Sequence, residues 1–117
     1  MVDMVNRCVV IEGKVIKFSE ITIIKEFYFR FEHDEFWDEH FNADISFIAT
    51  QKDSNTSLKI KFYDVNSLKM NRTNHQIMGF DILDRKDKGY TGAVRYHFED
   101  YEDGVMDFYC SAIELIE

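Results

Sequence analysis

The sequence predicts an all-β fold, a single domain of antiparallel strands in a two-layer sandwich or a strongly curled sheet. Three observations lead there. Residues 20–32 set Ile21, Ile23, Phe27, Phe29 and Phe31 on one parity, interrupted only by Lys25. Thr22, Glu26, Arg30 and Glu32 take the other parity. Apolar residues at every second position describe a half-buried strand, because successive side chains point to opposite faces of a sheet. The same period recurs down the chain. Finally, the 117 residues include eleven Phe, six Tyr and no Pro, a composition that suits pleated surfaces and unbroken strand ladders.

The elements follow in order. Arg7–Ile11 and Lys14–Phe18 flank Glu12-Gly13, a two-residue link fit for a tight hairpin. The long strand 20–32 comes next. His33–Asn42 breaks the alternation and leaves room for at most one short helix near 34–41, where Phe36/His40 and Trp37/Phe41 are four apart. Ala43–Thr50 turns Ala43, Ile45, Phe47 and Ala49 inward, and Lys52–Thr56 is a turn cluster. Ser57–Asp64 turns Leu58, Ile60 and Phe62 inward and extends toward Met70 through a bulge at Asn66-Ser67. After a turn at 71–74, His75–Asp84 turns Met78, Phe80 and Ile82 inward, and Arg85–Gly89 is a charged turn. Tyr90–Asp100 places Val94, Tyr96 and Phe98 on one face. Asp103-Gly104 is a strong hairpin signal. In the last strand, Val105 to Ile116, Met106, Phe108, Cys110 and Ala112 share a parity that Ile113 and Leu115 abandon, as at a bulge or a short terminal departure. About eight strands joined by short turns make a meander.

The formal charge is −8, unevenly placed. Residues 1–51 carry five basic and ten acidic side chains, residues 52–88 eight and five, and residues 89–117 one and seven. Such acidity disfavours general nucleic-acid binding and anionic membranes, and favours a basic protein partner. No leader pattern opens the chain, and no apolar run approaches the ~18 residues of a membrane span. Cys8 and Cys110 lie in strand-like runs and read as buried free thiols, so a cytoplasmic location is expected.

The densest chemistry lies in residues 32–44, EHDEFWDEHFNAD, which join six carboxylates, two imidazoles, Phe36, Trp37 and Phe41. Large rings ringed by acids suit a docking surface. Packing of Trp37 and Phe41 onto the sheet is the alternative. His33 and His40 are seven apart with no cysteine nearby, which fits no standard metal spacing, so no metal or other cofactor is expected. A second acidic cluster, Glu99, Asp100, Glu102 and Asp103, is either a hydrophilic hairpin turn or part of one acidic face with the first. Lys59 and Lys61 read as a solvated strand face. His97 and Glu99 share a strand face, as an acid–base pair or an ordinary polar pair. No nucleophile motif, phosphate loop or dinucleotide fingerprint appears, so no catalytic residue is assigned.

The segments LKIKFYDVNSLKM, IMGFDILD and VRYHFEDYEDGVMDFYCSAIEL resemble, across residues 43–116, small all-β bacterial proteins. Some of those are grouped with immunity proteins of polymorphic toxin systems. The resemblance implies a bacterial cytoplasmic protein that binds and neutralises a toxin, and it carries over no catalytic residue. Together the residues point to a non-enzymatic binding module. Phe36, Trp37 and Phe41 are its expected anchors, and Asp34, Asp38, Glu39, Asp100, Glu102 and Asp103 its charged rim. Two other classes stay open: a β-domain holding a small apolar ligand, and a homo-oligomer assembled through edge strands.

Overall fold

Alternating side chains build three antiparallel sheets in the computed structural model, which describes residues 1–70, 80–89, 92–100 and 106–116. The strands are β1 (Val2–Asp3), β2 (Cys8–Ile11), β3 (Lys14–Lys17), β4 (Ile21–His33), β5 (Glu39–Gln51) and β6 (Ser54–Tyr63). There follow β7 (Asn66–Met70), β8 (Phe80–Asp84), β9 (Tyr96–Asp100), β10 (Met106–Cys110) and β11 (Ala112–Leu115). The hydrogen-bonded orders are β1-β2-β3, β11-β6-β5-β4 and β7-β10-β9-β8. The two four-stranded sheets face each other. Phe47 and Phe62 of one meet Phe80, Phe98 and Phe108 of the other, with ring centroids 5.1–6.2 Å apart. Val9, Ile16 and Phe18 of the N-terminal hairpin join the same core.

The all-β expectation holds, with two corrections. The order is not a simple meander: β10 lies between β7 and β9, and β11 returns to the outside of β6. Residues 34–41 hold no helix, which the expectation of at most one short helix allows. The chain instead has short 3-10 turns at Phe18–Glu20, Lys86–Lys88 and Gly92–Val94. Val94 therefore leaves the strand face and is exposed, and β9 begins only at Tyr96. The expected turn 71–74, Met78 and the Asp103-Gly104 hairpin lie outside the described residues.

Two parity breaks have physical causes. In β4 the register slips between Ile21 and Ile23 and again between Ile24 and Glu26. These bulges place Ile21, Ile24, Phe27, Phe29 and Phe31 opposite Ala49, Phe47, Ile45, Ala43 and Phe41. Ile24, not Ile23, is the buried residue, and Lys25 is the extra residue that the second bulge absorbs. The break at Cys110/Ile113 is a change of sheet: β10 ends in one layer, and after Ser111 β11 pairs with β6 in the other. The β6–β7 junction crosses beside it. Asp64, at φ 55°, turns the chain, and the Ser111 amide donates to the Tyr63 carbonyl at 2.8 Å. The strand expected to continue from Ser57 to Met70 is instead split between the two sheets, but the bulge expected at Asn66-Ser67 is present in β7, because Lys69 pairs with Asp107 while Asn66 pairs with Tyr109.

Candidate functional site

β4 and β5 form an arm whose outer half runs past the cover of the second sheet. Ala43 and Ile45 of β5 are fully buried, yet Phe27 and Phe31, opposite Ile45 and Phe41 in β4, are exposed. Phe41 is half-buried, 5.7 Å from the Phe29 ring and 5.0 Å from that of Phe31. Tyr28 stands on the opposite face at 64% exposure. Burying a large apolar side chain is worth ~1.5–3 kcal/mol, so this face holds unused burial energy.

The tip is a hairpin loop, Asp34–Asp38. The Trp37 amide donates to the Asp34 carbonyl at 3.0 Å, and the Asp34 amide donates to the Asp38 carbonyl at 3.1 Å. Asp34 Oδ1 accepts the amides of Phe36 and Asp38 at 2.8 and 3.0 Å, an Asx arrangement that replaces backbone partners in the turn. Trp37 has φ 63°, at the position where such a loop ordinarily seats glycine. A bulky residue held there is strained by roughly 1–2 kcal/mol. Its ring gains little cover in return: Trp37 is 80% exposed and Phe36 75%. Packing of Trp37 onto the sheet is therefore not what the fold does.

On the other face of the arm lies a polar cleft of about 440 Å³, lined among others by Glu32, Asp34, His40, Lys61, Asp64 and Ser111. His40 is its hub. Its Nδ1 is 2.5 Å from Asp64 Oδ1 and its Nε2 2.9 Å from Asp34 Oδ2. The hydrogen bond to Asp34, then that to Asp64, pushes the imidazole pKa up to about 9, so the ring is an imidazolium at neutral pH. Asp34 is lowered in turn, chiefly by His40. Ser111 Oγ donates to Asp64 Oδ2 at 2.7 Å. Burial pushes Asp64 upward, but Ser111 and His40 together leave it lowered. Nearby, Glu32 accepts from Asn42 and Lys61 at 2.7 and 3.1 Å, and those two contacts lower its pKa. Arg30 reaches Asp44 at 2.8 Å.

This geometry ties the arm to the crossing but builds no nucleophile. Ser111 faces a carboxylate, and the imidazole sits on that carboxylate's other oxygen with both ring nitrogens engaged. It has no free nitrogen to take a hydroxyl proton. The buried Cys110 thiol is pushed up to about 12, mainly by burial, which leaves it inert. His97 on β9 bonds across the sheet to Asp107 at 2.9 Å and lies 3.9 Å from Glu99. Ligand atoms of these three fall within 4.8 Å of one another, but a cation there would have to displace the His97–Asp107 bond.

The nine expected site residues divide. Phe36, Trp37, Asp38 and Glu39 stand exposed at the tip, and Phe41 anchors the aromatic face behind them. Asp34 is near them, but both its oxygens are committed to holding the loop and His40. Asp100 is corrected: it is 3% exposed, not on an open rim. It also ends β9 away from the arm, whereas Tyr96 at the start pairs with Cys110 beside Ser111. At Asp100 the second acidic cluster does not join the first. Glu102 and Asp103 lie outside the described residues. Tyr28, Phe27 and Phe31 were missed as surface. The available signal was Tyr28 between two Phe residues, which puts rings on both parities where a half-buried strand needs them on one.

Comparison with family models, with curated proteins and with solved structures gives no match for this chain. Among the described residues no helix is long and apolar enough to cross a membrane.

The imidazolium clamp predicts a pH dependence. A folded pKa raised from 6.5 to about 9 means that the His40 contribution is complete below pH 6.5, declines above it and is gone above about pH 9. The lowered Asp34 and Asp64 act oppositely, losing their contribution as pH falls below 3.8. The gap in melting temperature between the native chain and His40→Gln is therefore widest between these limits and closes by about pH 9. A gap constant from pH 6 to 10 contradicts the clamp.

Proposed function

We propose that this chain is a non-enzymatic protein-binding module that docks a basic partner on the β4–β5 arm, in the manner of an immunity-type inhibitor neutralising a toxin. The observation that carries the reading is the exposure of Phe27, Tyr28, Phe31, Phe36 and Trp37 on one arm. Residues 25–44 of that arm hold seven carboxylates against Lys25 and Arg30. Exposed rings supply contact area at low entropic cost, and surrounding acids steer and select a cationic surface. The strained Trp37 supports the same assignment, since strain without burial is a common property of binding loops. A ligand inside the sandwich finds less support, because the rings of Phe47, Phe62, Phe98 and Phe108 pack against one another there.

The test is photocrosslinking from position 36 in lysate of the source organism, followed by purification of the captured protein and kinetics with the pure pair. The reading expects a basic protein whose association slows several-fold from 50 to 500 mM salt, because exposed charges are screened beyond roughly 8 Å at physiological strength. An association rate indifferent to salt would falsify the electrostatic half. A captured protein with an acidic contact surface would remove the whole.

A further inference from the structure

β4 is the outermost strand of its sheet, and among the described residues nothing pairs with its free edge. An open edge offers a row of unpaired amides and carbonyls to any extended chain. Proteins usually guard such edges with proline, bulges or lysine. Here both bulges and Lys25 lie at the core end of β4. From Glu26 to His33 the register with β5 is unbroken, eight residues or about 27 Å at the usual rise, with no proline. Arg30, the cation within that run, is bound to Asp44 and Glu32.

The two faces beside this edge differ. Phe27, Phe29 and Phe31 lie on one face, and Glu26, Tyr28, Arg30 and Glu32 on the other. An added strand would meet rings with every second side chain and, with the alternate ones, Glu26, Tyr28 and the Arg30–Glu32 pair. Resting on the arm's assignment as the docking surface, we infer that the partner contributes an extended segment of alternating apolar and basic residues. This segment adds to the β4 edge as a fifth strand. A second copy of the chain fits less well, since each arm carries seven carboxylates over residues 25–44 against Lys25 and Arg30.

The experiment uses the full 15N-labelled chain and a nine-residue peptide alternating lysine with valine. Two further peptides are N-methylated at the lysines or at the valines. In a strand addition only one set of peptide amides faces β4. One methylated peptide should therefore bind roughly tenfold or more weaker than the parent and the other nearly as well. Parent binding should shift the amide signals of residues 26–33. Equal binding by both methylated peptides overturns strand addition and leaves the acidic docking surface standing. So do shifts confined to other strands. A parent peptide that fails to bind, beside a crosslinked partner that does, also overturns strand addition alone. A doubled mass of the free chain in sedimentation overturns it in favour of a second copy.

Discussion

Replacing Phe98 by alanine is expected to cost about 3–5 kcal/mol and to lower the melting temperature by more than about 10 °C. The ring is fully buried at the middle of the interface between the two large sheets. It stacks on Phe108 at 4.7 Å and meets Phe62 and Phe80 edge-on at 5.6 and 5.2 Å. Phe47 lies beyond at 6.2 Å. Removing it leaves a void bordered by four rings held by two sheets, which cannot close over it without moving a strand. Since a whole domain is worth only ~5–15 kcal/mol, this one change threatens folding. Phe31→Ala serves as the comparison. That ring is 66% exposed, so its loss should cost well under about 1 kcal/mol. Urea unfolding of the two variants checks both values. Equal losses would mean that the aromatic face of the arm is part of the core.

Trp37 is expected to behave in the opposite way. Trp37→Ala should leave the urea midpoint nearly unchanged, because an 80% exposed ring contributes little to the fold. It should weaken the captured partner by about 2 kcal/mol, roughly 30-fold, the scale of a central aromatic anchor. Trp37→Gly sharpens the contrast. Glycine accepts φ 63° without penalty, so this variant should gain up to about 1 kcal/mol of stability while losing the same binding. Stability that rises as affinity falls separates a residue kept for contact from one kept for the fold. A Trp37→Gly chain that unfolds more easily would assign the ring a structural role.

What the sequence disclosed follows from which forces are local. Period two is local, so Ala43, Ile45, Phe47 and Ala49 were legible as core, and all four are fully buried. So was the Glu12-Gly13 turn, where φ is 49° and 78°. The order of strands was not legible, because β10 pairs with the distant β7 as well as with its sequence neighbour β9, and β11 pairs with the distant β6. The loop 34–38 misled because its left-handed position carries tryptophan rather than glycine, which hides the turn. Phe27 and Phe31 share the parity of the core but lie where the second sheet does not reach. Alternation reports which face a residue takes, not whether anything covers that face. The His40 clamp was hidden for a similar reason: Asp64 comes to it only because the chain crosses between sheets after β6.

The most direct test of the account is hydrogen exchange of the chain alone and bound to its crosslinked partner. New protection is expected in residues 26–44, strongest along the outer edge of β4 and at the 34–38 loop, with β8, β9 and β10 unchanged. Protection confined to the outer face of the β8–β9–β10 sheet, with the arm exchanging as freely as before, would contradict it.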